Sequence, residues 1–183
     1  HPGFSRIIIE VDTDEGITGL GECYGGASRE GQLAEMKPLL IGEDPFQLER
    51  IRWKLAAPTS LKLFGYVLGW AGLEFALLDI QGQATSRPVS DLIGGRVRDE
   101  VPFSAYLFYR YANASGKGEV SNQDQMVELS QELINRYGFE TLKYKNGVLT
   151  PDEEIQTFIA LRETFPEHKI RLDPNAAWTV TTA

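Results

Sequence analysis

Leu142-Lys-Tyr-Lys-Asn-Gly147, followed one helix later by Arg171-Leu-Asp-Pro-Asn175, decides how this chain is read. Each string reads as the end of a β-strand, and Asp152 to Thr164 between them reads as a helix. Residues i and i+2 of a strand share a face. Lys143 and Lys145 therefore point one way, and Asp173 and Asn175 are expected to do the same on the next strand. Two parallel strands joined by a helix lie side by side. The expectation is two amines facing a carboxylate and an amide at the carboxyl ends of neighbouring strands, where α/β folds carry their chemistry. Taken singly, Lys-x-Lys between Leu142 and Tyr144 also describes any half-exposed strand, and Asp-Pro-Asn is ordinary turn chemistry. The pairing of the two strings one strand-helix unit apart is what carries weight.

Working outward, the second half of the chain keeps a β-α-β-α-β rhythm. Val101 to Tyr109 reads as a strand, Asn113 to Asn122 as a polar loop and Asp124 to Tyr137 as a helix with Met126, Leu129, Leu133 and Ile134 on its apolar side. Thr141 to Lys145 is a strand. Pro151-Asp-Glu-Glu154 opens a helix whose acidic start suits the helix dipole. Lys169 to Asp173 is a strand again. Such alternation means parallel strands with right-handed crossovers.

The first half is α+β. Arg6 to Thr13 and Ile17 to Glu22 read as a hairpin around Asp14-Glu-Gly16. Helices are expected over Arg29 to Leu40, from Asp44 (N-cap) and Pro45 through Leu55, and over Gly69 to Ala84. A helical turn from Pro88 to Leu92 ends at Gly94-Gly95.

The 183 residues carry 18 Lys and Arg against 26 Asp and Glu, a net charge of −8. That balance argues against a nucleic-acid surface, which needs a basic stripe. It leaves room for an anionic ligand held by a local pair of lysines. Cys23 is the single cysteine, so no intrachain disulfide forms, and two histidines make a multi-histidine zinc site a poor fit. The most apolar stretch, Gly65 to Ile80, is broken by Glu74 and Asp79 and is too short to span a bilayer. With no basic-then-apolar opening segment, a cytoplasmic location is the default expectation, with no membrane partner.

Beyond these features the text resembles the enolase superfamily in its glucarate dehydratase branch. Tyr137-Gly-Phe139 leads into Leu142 through Leu149, then Asp152-Glu-Glu154, Ala160-Leu-Arg162, Phe165-Pro166 and Arg171 through Trp178. Upstream, Gly19-Leu-Gly-Glu22, Gly72 through Asp79, Pro88, Gly94-Gly95 and Arg98 fit the same pattern. The resemblance implies a capping domain over 1–100 lacking its first strand, then the first three βα units of a (β/α)₈ barrel over 101–183. A closed barrel needs eight strands and about 250 residues. The expectation is therefore a piece of a longer enzyme, inactive in isolation and a homo-oligomer at full length.

The resemblance also implies the chemistry. The superfamily removes a weakly acidic proton beside a carboxylate, which requires a base at the carbon and a divalent cation at the oxygens. Its sites use a Lys or His base with Mg²⁺. Nearby positive charge disfavours a protonated amine, which frees a lysine to act as base. On this basis Lys145 is the base, Lys143 a cation beside the substrate carboxylate, Asp173 the first Mg²⁺ ligand and Asn175 a donor to the reacting oxygen. Tyr106 and Phe108 match substrate-contacting residues, with packing between strand and helix as the alternative. His1 matches a substrate-reaching histidine of the capping domain. Two further metal ligands and a His-Asp pair are implied on later strands. The expected activity is elimination of water from a small acid sugar. Racemisation, cycloisomerisation and an inactive anion-binding relative are the alternatives. Asp-x-Asn favours the dehydratase.

Overall fold

Lys143 and Lys145 lie on a parallel sheet whose two faces are chemically opposite. The strands are β3 (Ala105–Phe108), β4 (Thr141–Lys145) and β5 (Lys169–Asp173), in the order β3-β4-β5. They follow β1 (Arg6–Asp12) and β2 (Thr18–Tyr24), which form an antiparallel hairpin. The computed structural model describes residues 5–55 and 60–182 (backbone only over 60–68). These fall into two units, 5–99 and 100–182.

In the first unit β1 and β2 pair in full register from Arg6 with Tyr24 to Asp12 with Thr18. Helices α1 (Ala27–Leu40), α2 (Leu48–Leu55), α3 (Ser60–Thr85) and α4 (Val89–Leu92) follow. One face of β2 consists of Gly19, Gly21 and Cys23, all buried. A Cβ on Gly19 would run into the Ala76 carbonyl, and one on Gly21 into the Gly72 carbonyl. Strand and helix thus meet backbone to backbone. The core beside that contact is Met36, Ile51, Leu55, Leu73, Leu77 and Ile80. The Asp79 carboxylate accepts the Leu20 N–H at 2.9 Å, which ties α3 to β2 a second time.

The second unit adds α5 (Gln123–Tyr137) and α6 (Pro151–Thr164). Met126 from α5 and Leu161 from α6 join Ala105, Leu107, Leu142 and Tyr144 in one buried cluster. Both helices therefore cover the same face of the sheet. That is the arrangement of a barrel wall, whereas an open doubly wound sheet has helices on both faces. The second unit has the arrangement of the opening strands of a (β/α)₈ barrel, and the first unit is α+β. Asn122 caps α5 by accepting the Gln125 N–H, and left-handed Gly138 ends it. Thr150 and Glu153 form a capping box at α6. Thr150→Ala is expected to cost about 1 kcal/mol, read as a lower urea midpoint with an unchanged slope.

Three boundaries differ from the sequence reading by three residues or more. Asp44 does not cap α2: its carboxylate accepts the Phe46 N–H and its carbonyl the Gln47 N–H, making a turn before the helix starts at Leu48. Helix α3 starts at Ser60, because Gly69 lies within a run whose neighbours hold it helical despite the propensity cost. Strand β3 is limited to Ala105–Phe108, and Val101 to Ser104 pair with no strand. No described helix is long and apolar enough to cross a membrane.

Candidate active site

Parallel register aligns the uncovered face of the sheet in rows. Tyr106, Lys143 and Arg171 form one row, and Phe108, Lys145 and Asp173 the next. The intervening residues Leu107, Leu142 and Tyr144 face the helices and are fully buried. Pleat alternation alone thus separates a dry core from a charged face.

On that face the two amines converge on one carboxylate. Lys143 Nζ and Lys145 Nζ each donate to Asp173 Oδ2 at 2.9 Å. Asp173 Oδ1 accepts the Asn175 N–H at 3.0 Å. Lys145 Nζ also donates to Asn175 Oδ1 at 2.9 Å. The hydrogen bonds from Lys145 and then Lys143, with the Asn175 amide, hold the Asp173 carboxyl well below the usual carboxylate range. A depressed carboxyl stabilises the fold above its unfolded value, and this contribution is lost as pH falls through the folded one. The clasp therefore persists through mildly acidic solution.

Asn175 arrives by a different route from the one expected. Strand β5 ends at Asp173, so Asn175 does not share its strand face. A turn with Asn175 at φ 53° and Ala176 at φ 60° brings the amide back toward Lys145. Tyr106 is 47% exposed, and Lys143 Nζ lies 5.6 Å from its ring centroid. Its ring is 5.4 Å from that of Phe108, and Arg110 lies over Phe108 at 5.6 Å. Both rings stand on the face of the lysines and not between strand and helix. His1 lies outside the described residues.

Behind the lysines, Tyr144 is buried and its hydroxyl donates to Tyr109 at 3.2 Å. Tyr109 bonds Thr157 at 2.7 Å, and Thr157 donates to the Glu153 carbonyl. Burial, then the Tyr109 bond, push the Tyr144 phenol far up, so it stays neutral. This chain of hydroxyls fastens β4 to α6.

Several residues escaped sequence reasoning. Asn146 is buried, and it grips Asp173 twice: its N–H donates to the Asp173 carbonyl at 3.0 Å, and its Oδ1 accepts the Asp173 N–H at 3.2 Å. Arg171 shares the row of Lys143, and its position two residues before Asp173 was the available signal. Glu154 is not a solvated partner of the helix dipole but fully buried. For Mg²⁺, the Asp173 carboxylate supplies hard oxygen donors of the right kind. Among the described residues no three His, Cys, Asp or Glu converge, so Asp173 fits as a single carboxylate contribution.

The family model "Mandelate racemase / muconate lactonizing enzyme, N-terminal domain" matches residues 4–94, and "Enolase C-terminal domain-like" matches 125–183. The chain belongs to the enolase superfamily. Within this superfamily, a probable glucarate dehydratase of Streptomyces coelicolor is 38% identical over 100% of this chain and 48% of its own length. A D-galactarolactone cycloisomerase of Agrobacterium fabrum is 30% identical over 98% of this chain and 46% of its own. A superfamily structure from Thermobispora bispora, crystallised with magnesium and formate, is 43% identical with a TM-score of 0.86, over 97% of this chain and 47% of that one. The chain spans about half the length of the curated relatives it matches.

Proposed function

We propose that the protein is a Mg²⁺-dependent acid-sugar dehydratase of the glucarate dehydratase type. The observation that carries this reading is the convergence of Lys143 and Lys145 on Asp173, each at 2.9 Å, with Asn175 against Lys145. The similarity to the Streptomyces protein supports the substrate class. In this proposal Lys145, as the free amine, takes the proton from the carbon beside the substrate carboxylate. Lys143 holds that carboxylate by charge. Asn175 orients Lys145 and, once substrate enters, donates to the oxygen where charge develops. The β C–O bond then breaks, the leaving hydroxyl takes up the proton now held on the Lys145 ammonium and departs as water, and the enol tautomerises to a keto-deoxy acid. Tyr106 and Phe108 offer an apolar wall for the carbon chain.

Asp173 would hold Mg²⁺, which when bound would draw charge from the carboxylate and acidify the neighbouring C–H. Asp173→Asn is expected to weaken Mg²⁺ binding about tenfold or more. Calorimetric titration decides it, and equal affinity in variant and parent removes Asp173 from the metal site.

The Agrobacterium relative favours a second reading, α-proton chemistry without loss of water. One experiment separates the two. The protein at its native length is incubated with glucarate and Mg²⁺ in D₂O. A 2-keto product supports the dehydratase, whereas deuterium at the α-carbon without a keto product supports racemisation or cycloisomerisation.

A further inference from the structure

Glu154 has no part in the chemistry above, yet it is fully buried in the first turn of α6. Its Oε1 accepts the backbone N–H of Gly147, Val148 and Leu149 at 2.7, 2.9 and 3.1 Å. Its Oε2 accepts the Gly147 N–H at 2.9 Å and the Trp178 indole N–H at 3.2 Å. A buried carboxylate is tolerated only when its lone pairs are met, and here they are. The two arms lead to different strands. Gly147 to Leu149 leave the strand of Lys143 and Lys145, and Trp178 closes the segment that follows Asp173 and Asn175.

That segment is strained. Asn175 and Ala176 both take left-handed backbone angles, which for alanine are unfavourable and persist only when surroundings impose them. At one end the turn is held by the Asn175 N–H on Asp173 and the Ala177 N–H on the Pro174 carbonyl at 2.9 Å. At the other end it is held by Trp178 on Glu154. The strands can approach because residue 147 is glycine: a Cβ there would lie 2.7 Å from the Pro174 carbonyl oxygen.

We propose that Glu154 is a positioning residue that pins the Asn175–Ala176 turn through Trp178 and so keeps the Asn175 amide against Lys145. Asp173 is fixed separately, by the two-point grip of Asn146. Loosening the Glu154–Trp178 tie should therefore disturb Asn175 and Lys145 while sparing the metal ligand. A general loss of stability would not divide the site in this way.

Two variants test it, Glu154→Gln and the milder Trp178→Phe, which keeps an aromatic side chain but loses the indole donor together with part of the ring volume. The first measurement needs no turnover. Amide hydrogen exchange by NMR is expected to quicken about tenfold or more at Asn175 and Ala177. Exchange at the Asp173 N–H and the Mg²⁺ affinity should stay within about twofold of the parent. The second measurement rests on the dehydratase reading: with glucarate, kcat should fall about tenfold or more, as for loss of an outer support, with KM little changed. The double variant should be no worse than Glu154→Gln alone. Unchanged exchange at Asn175 and Ala177 in Trp178→Phe overturns the proposal, as does equal loosening at Asp173. If the parent does not turn over glucarate, the dehydratase reading fails, and the exchange data still decide the role of Glu154.

Discussion

Lys145→Ala is expected to suppress exchange of the proton beside a substrate carboxylate by about 10³-fold, the size of contribution a well-placed general base makes. The side chain is only 20% exposed and is fixed from two directions, by Asp173 Oδ2 and Asn175 Oδ1. Truncation removes the one amine that bridges these two groups. The fold should survive, because Lys145 stands on the face away from α5 and α6 and contributes nothing to the buried cluster. Mg²⁺ should still bind, because Asp173 keeps both its carboxylate and its backbone grip on Asn146. Deuterium wash-in followed by NMR measures the rate directly. Undiminished exchange in the variant means that another group is the base.

Gly21→Val should have the largest effect on stability, a loss of about 4 kcal/mol or more, beyond the usual range for point substitutions. Overpacked cores usually relieve strain by shifting flexible side chains. Here the obstacle is the Gly72 carbonyl within α3, and neighbouring Gly19 is blocked in the same way by Ala76. To admit a side chain, β2 and α3 must separate, which breaks the Asp79 bond to Leu20 and opens the core around Leu73 and Leu77. Thermal unfolding followed by circular dichroism gives the answer. A midpoint within a few degrees of the parent would mean that strand and helix part at little cost.

The strand ends at Lys145 and Asp173 were legible because alternation of Lys with Leu142 and Tyr144 is a period-2 signal, and register follows from the helix between. The starts of α2 and α3 were less so. Asp44-Pro45 has the composition of a helix cap, but the same side chain also closes a turn, and the choice between them depends on tertiary contacts. Asn175 was recovered for a partly wrong reason: its place beside Lys145 comes from a left-handed turn, whose backbone angles leave no trace in a pattern of residue types. Glu154 was hidden more thoroughly. An acid in the first turn of a helix reads as a solvated dipole partner, and only three dimensions reveal that Trp178 and the Gly147 loop enclose it.

The one-sided packing of the helices has a consequence for inheritance. Along β4, Leu142 and Tyr144 answer to the core, while Lys143 and Lys145 stand on the opposite face, where the proposed ligand would bind. On the proposed reading, a substitution at 143, 145, 171 or 173 changes which molecule is handled without asking Leu142 or Tyr144 to repack. The two sets of positions can drift under separate selection while sharing a single stretch of coding sequence.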